Sequence, residues 1–287
     1  MLNALLIAND RSGTSHRLTR SSLPGHWVSD PASVTEAQVR AADIIALFGG
    51  DGTMQKTLSQ ILRKVPAGEL PPVALLPFGT TNMNAKALNG AQSKRAAVES
   101  LRQAICSGSF RETTRPLLRI RSGAAIEHGF FFGIGIIAEV VERWNEQRKG
   151  GALANQAHSL WAMITGLRNV KSATPVTIDG KAHSVYGLLA STLDRLLFGS
   201  HPFWGDQLSG ELRLTWVDSD ARNLLQHAPA LLRGKARMAA VPGYECRAAT
   251  AVELAFSGSF IIDGEIFHLK DESLTITRSD AIRWLAL

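Results

Sequence analysis

Asp51 is the one charged side chain in the run Gly49-Gly50-Asp51-Gly52-Thr53, and that company suits the handling of phosphate. Glycines lack Cβ atoms, so their backbone N–H groups can approach a phosphate closely, and a helix starting there adds the positive end of its dipole. A carboxylate beside a polyphosphate is repelled unless it meets Mg²⁺ through water, faces a donor, or takes a proton from the attacking group. The alternative is a tight turn in which Asp51 only ties down backbone amides. A second polar turn, Pro77-Phe78-Gly79-Thr80-Thr81-Asn82, offers hydroxyls and an amide to the same ligand. The third candidate is Asp263-Gly264-Glu265. Asp-Gly between apolar runs is first of all a hairpin signal, and Thr177-Ile178-Asp179-Gly180-Lys181 repeats it with Lys in place of Glu. Glu265 thus differs from a purely structural turn by its carboxylate, which could accept a proton from a hydroxyl.

These residues need a scaffold, and the surrounding pattern supplies one. The apolar run Ile44 to Phe48 reads as a central parallel strand, while Met54, Leu58, Ile61, Leu62 and Val65 fall at helical spacing after it. Val73 to Leu76 make a second short strand, followed by a helix through Ala85 to Leu88. A first strand, Leu2 to Ala8, ends in the polar loop Asn9 to Ser15. In an open parallel sheet, ligands bind beyond the carboxyl ends of the strands, so the three loops should face one crevice.

The three motifs together resemble the diacylglycerol kinase catalytic-domain family, which includes bacterial lipid kinases and sphingosine kinases, and the likeness runs along nearly the whole chain. It implies an α/β fold, with a Rossmann-like nucleotide-binding domain of the NAD kinase and phosphofructokinase type over residues 1–110. A mainly β-sandwich acceptor domain would follow over 111–287, its last residues returning to the first. It implies ATP and Mg²⁺ as cofactors, with Gly49, Gly50, Asp51, Gly52, Thr53, Gly79, Thr80, Thr81 and Asn82 holding the nucleotide. Asp51 and Glu265 would be catalytic, Glu265 as the base that deprotonates a lipid hydroxyl. The glycine-aspartate motif is shared with NAD kinases and phosphofructokinases, so an NAD kinase-like enzyme is one rival. A nucleotide- or lipid-binding regulator without catalysis is the other. Two departures from the family pattern keep the acceptor open: many relatives follow the second motif with Asp and Phe, where this chain has Met83 and Asn84, and the family's acidic metal-holding turn is replaced by Leu208-Ser209-Gly210 with Asp206 upstream. No metal ligands are assigned.

A length of 287 residues favours two domains, and the formal charge of +6 favours anionic partners. Near an anionic bilayer each surface Lys or Arg adds roughly 1 kcal/mol of attraction. The longest apolar stretch, Gly129 to Val141, is short, glycine-rich and carries Glu139, so membrane contact should be peripheral. No nucleic-acid module is visible. Cys106 and Cys246, the only cysteines, fit a reducing cytoplasm. Oligomeric state is open. From about Arg111 the pattern becomes short strands with turn signals, as at Leu117 to Arg121, Phe130 to Gly135, Val176 to Ile178, Tyr186 to Ser191, Leu212 to Val217, Val252 to Phe256 and Leu274 to Thr277. Helices are expected at Ala138 to Arg148 and at Asn155 to Asn169. The segment Gly129 to Gly135 is the candidate floor of an apolar acceptor pocket.

Overall fold

The computed structural model describes residues 1–9, 23–79, 81–89, 93–149, 173–196, 199–205 and 211–287. Thr80, the loop from Asp10 to Ser15, the expected helix at Asn155 to Asn169, and the Asp206 to Gly210 turn lie outside the described residues. The chain forms two compact units, Met1–Leu117 with Ser279–Leu287, and Leu118–Arg278.

In the first unit, strand β1 (Ala4–Ala8) pairs in parallel with β2 (His26–Val28) and β3 (Ile44–Gly49), and β3 pairs in parallel with β4 (Val73–Pro77). Every residue of β1, β3 and β4 is buried. Their unbroken apolar runs reflect helices and loops packed on both faces. Helix α1 (Glu36–Ala41) starts in a capping box built by Thr35 and Gln38. Helix α2 (Asp51–Leu62) follows β3 directly, and α3 (Met83–Asn89) follows β4. Helix α4 (Lys94–Ser107) buries Ala97, Leu101, Ala104 and Ile105 at helical spacing, and Gly108 ends it with φ 73°. The C-terminal strand also contributes here: Trp284 is wholly buried, pairs in parallel with Val73, and donates its indole N–H to the Arg115 carbonyl at 2.9 Å.

The second unit is strand-rich. Its strands are β5 (Arg111–Ser122, from Leu118 on), β6 (Ala125–Gly129), β7 (Phe131–Gly135), β8 (Thr174–Ile178), β9 (Lys181–Ser191), β10 (Leu212–Asp218), β11 (Tyr244–Ala249), β12 (Ala251–Ile262) and β13 (Glu265–Ala286, to Arg278). The helix α5 (Ile136–Lys149) follows β7, and α6 (Leu224–Leu231) follows β10. The long strands β9 and β12 each pair with β8 along one half and with β7 along the other. The pairing β9–β7–β12–β8 therefore closes on itself, barrel-like. Inside it pack Phe132, Ile134, Val176, Leu188, Leu254, Phe260 and Ile276, all in one apolar cluster.

That cluster corrects one expectation. Phe130 and Phe132 are wholly buried, and Phe132 lies 5.6 Å from the Phe260 ring. Strand alternation turns these aromatics into the core, so Gly129 to Gly135 is core strand rather than the floor of a pocket; of its aromatics only Phe131 is even half-buried. Its glycines serve close approach: a Cβ on Gly133 would lie 2.7 Å from Ile137, and one on Gly135, at φ 67°, 2.5 Å from the Tyr186 carbonyl oxygen.

Candidate functional site

Parallel pairing of β3 with β4 brings the ends of these strands together, and the two motif turns stack. The Phe78 N–H donates to the Gly49 carbonyl at 3.1 Å. A Cβ on Gly79 would lie 2.3 Å from the Gly50 Cα, and a Cβ on Gly50 3.1 Å from the Gly79 Cα. A side chain at position 79 would run into Gly50, so that position needs glycine, while one at position 50 would press tightly on Gly79.

Asp51 locks the stack. One carboxylate oxygen accepts the Met83 N–H and the other the Asn84 N–H, each at 2.9 Å. The first residue of α2 thereby caps the start of α3. Burial raises the Asp51 carboxyl above its usual range, against the downward pull of these amides and of Lys86. Asp51 is half-buried. Tying down amides is what it does here, across 32 residues.

Asn82 behaves alike. It is buried at left-handed φ 50°, its side-chain oxygen accepts the Gly79 N–H at 2.7 Å, and its amide donates to the Gly79 carbonyl at 2.9 Å. The side chain closes its own turn instead of projecting outward. What remains to meet a ligand is mostly backbone. Gly50 occupies the N-cap of α2 and, having no side chain, leaves the first-turn N–H groups without an N-cap side chain over them, with the half-buried Gly52 and Thr53 in that turn. Thr81 is half-buried.

Asn84, named from the sequence only as a departure from the family pattern and given no site role, is 1% exposed, and neither polar atom of its side chain has a hydrogen-bond partner among the described residues.

In the second unit the Asp-Gly-Glu motif forms the β12–β13 hairpin, with Ile262 opposite Glu265. Asp263 and Gly264 have φ 49° and 88°, as a two-residue primed turn requires. Asp263 is 3% exposed and accepts the Phe130 N–H at 3.1 Å and the Phe131 N–H at 3.0 Å. Gly129 makes room for it, since a Cβ there would lie 2.4 Å from Ile262 and 2.9 Å from an Asp263 oxygen. Glu265 is half-buried at the start of β13.

No three His, Cys, Asp or Glu side chains gather to hold a metal ion among the described residues. Both cysteines are free. Among the described residues no helix is long and apolar enough to cross a membrane.

The family model of the diacylglycerol kinase catalytic domain matches residues 17–109. No curated protein matches the chain. Among solved structures, a candidate diacylglycerol kinase from Bacillus anthracis strain Sterne superposes with TM-score 0.69 at 16% identity, covering 99% of this chain and 97% of that one. A crystal structure of a diacylglycerol kinase from the same strain gives TM-score 0.64 at 16% identity with the same coverage. An NAD kinase from Archaeoglobus fulgidus, solved with ATP, gives TM-score 0.51 at 12% identity, covering 98% of this chain and 92% of that one. The chain resembles the diacylglycerol kinase catalytic-domain family and has the mixed α/β fold that diacylglycerol kinase-like and NAD kinase-like structures share.

Proposed function

We propose that this chain is an ATP-dependent kinase that transfers the γ-phosphate to a hydroxyl of a diacylglycerol-like or other lipid acceptor, acting in the cytoplasm and at membrane surfaces. The observation that carries the proposal is the stacked pair of turns at the ends of β3 and β4, glycine against glycine, beside the start of α2, which no N-cap side chain covers. Backbone amides held that rigidly are a preorganised seat for phosphate. In this reading Gly49 to Thr53 cradle the phosphates and Gly79 to Asn82 shape the seat's other wall. Asp51 holds the walls together.

No all-protein cage for Mg²⁺ exists among the described residues. One carboxylate with phosphates and water is nevertheless a common set for this ion, and Asp51 fits that role with the lone pairs its amide bonds leave. Bound there, the ion would neutralise charge on the transferring phosphate. A cation there would favour the ionised carboxylate and so oppose the upward shift that burial causes at Asp51. Glu265 would accept the proton of the lipid hydroxyl as its oxygen attacks the γ-phosphorus and the bond to ADP breaks.

A second reading has its own observation. The Asp51 and Asn82 side chains are both occupied within the turns, as suits a binding protein that needs a rigid nucleotide seat and no chemistry. The separating experiment supplies γ-labelled ATP and Mg²⁺ to the purified chain with mixed micelles of lipid alcohols, and in parallel with NAD. Labelled lipid supports the lipid kinase, labelled NADP supports the NAD kinase-like rival, and ATP binding without labelled product supports the regulator.

A further inference from the structure

The described surface exposes only two large hydrophobic side chains, Met1 at the chain start and Leu225 at 47% exposure. Leu225 lies on α6, whose inward side is settled by contacts. Ala230 is buried, and Leu224 and Leu231 pack against a small cluster with Trp204, Met238 and Tyr244. Leu225, Gln226 and Pro229 are exposed on the other side, at the i, i+1 and i+4 positions of one face. Arg222 precedes the helix and Arg233 follows it; both are exposed, as are Lys235 and Arg237 beyond. From Ala221 to Tyr244 the sequence holds these four cations and no acid. None of the four is in an ion pair among the described residues, whereas Arg40, Arg102 and Arg247 each pair with a carboxylate.

An exposed leucine on a helix flanked in the chain by cations outside any ion pair is the chemistry of a helix lying on an anionic bilayer, where a hydrophobic side chain enters the interface and cations meet lipid phosphates. A folded protein partner would need a much larger patch than a helix of about 12 Å offers. We infer that α6, with Arg222, Arg233, Lys235 and Arg237, is a docking face for an anionic lipid surface. The inference deepens the lipid-kinase reading by naming the surface at which a membrane-held acceptor would be met.

The test uses the full chain and vesicles without ATP or any acceptor alcohol, so its result is independent of phosphoryl transfer. Sedimentation with phosphatidylcholine vesicles carrying about 30% phosphatidylserine should retain the chain at about 0.1 M salt and release it at about 0.5 M. Vesicles of phosphatidylcholine alone should not retain it. The triple variant Arg233→Glu, Lys235→Glu, Arg237→Glu should bind at least about a hundredfold more weakly, at roughly fivefold or more per cation. Leu225→Glu should weaken binding by about tenfold or more. Arg95→Glu, at an exposed cation of the first unit, should bind like the parent. All of these positions are exposed, and circular dichroism checks folding. Absence of vesicle binding by the parent, or parent-like binding by the triple variant, overturns the inference. So does retention on RNA with no retention on vesicles, which would make the patch a nucleic-acid face.

Discussion

Two hairpins of the second unit share the Asp-Gly turn and diverge in everything around it. In the β8–β9 hairpin Asp179 and Gly180 have φ 47° and 79°; in the β12–β13 hairpin Asp263 and Gly264 have 49° and 88°. The backbone is the same turn built twice. Asp179 works at the surface, pairing with Arg247 and accepting the Glu253 N–H at 2.8 Å. Asp263 works inside, fastened to the Phe130 and Phe131 amides where Gly129 leaves space. The next residue is exposed Lys181 in one and half-buried Glu265 in the other. A shared turn therefore says nothing about role. The depth of the aspartate and the charge of the following residue separate an ordinary hairpin from one that fixes an acid in place.

The contrast breaks most sharply on the residue after the turn. If Glu265 is the base, Glu265→Gln should lower phosphoryl transfer by roughly 10²- to 10⁴-fold, since an amide keeps the shape but takes no proton. Lys181→Gln should leave the rate unchanged. Equal rates for the two variants in a micelle assay would remove Glu265 from the chemistry.

The aspartates should separate in stability. Asp263→Ala strands buried N–H groups and should cost about 2–4 kcal/mol by urea unfolding. Asp179→Ala removes only a surface pair and one amide bond, and should cost about 1 kcal/mol or less. Matching losses would show that the two turns are held equally.

The smallest expected effect is the pH dependence, which extends the contrast to Asp51. Burial pushes the Asp179 carboxyl up, but the Glu253 amide and Arg247 pull it down further, so it sits below the usual range. Its contribution is present above about pH 4 and is lost as pH falls through its folded value. Asp51 is shifted upward, with burial the main cause. Its contribution is present below about pH 4 and is lost as pH rises through its folded value. In unfolding midpoints measured across acid pH, Asp179→Asn should flatten the profile below about pH 4, and Asp51→Asn should flatten it above. Both variants altering the same limb would contradict the opposed shifts.

Sequence reading reached what is local. The strands β1, β3 and β4 and the helix after Gly50 were legible because their runs and periods are continuous. Strand β12 extends to Ile262, beyond the expected end at Phe256, because Ser257-Gly258-Ser259 reads as a turn and is instead absorbed as a register shift with Gly258 at φ 132°. Helix α6 was missed because Pro229 reads as a breaker. Strand β11 was missed because its half-exposed residues show no clean alternation. The motif positions were visible, but the partners of Asp51 and Asp263 lie 32 and 133 residues away in the chain, and only the fold pairs them.

The central claim is that the stacked turns of the first unit hold a nucleotide, and calorimetric titration of ATP with Mg²⁺ into the parent chain and Gly52→Val tests it most directly. The account predicts saturable binding by the parent, and for the variant a loss of at least about tenfold in affinity with an unchanged circular dichroism spectrum, since a branched side chain would occupy the place of a phosphate. Undiminished ATP binding by a folded Gly52→Val, or none by the parent, would contradict it.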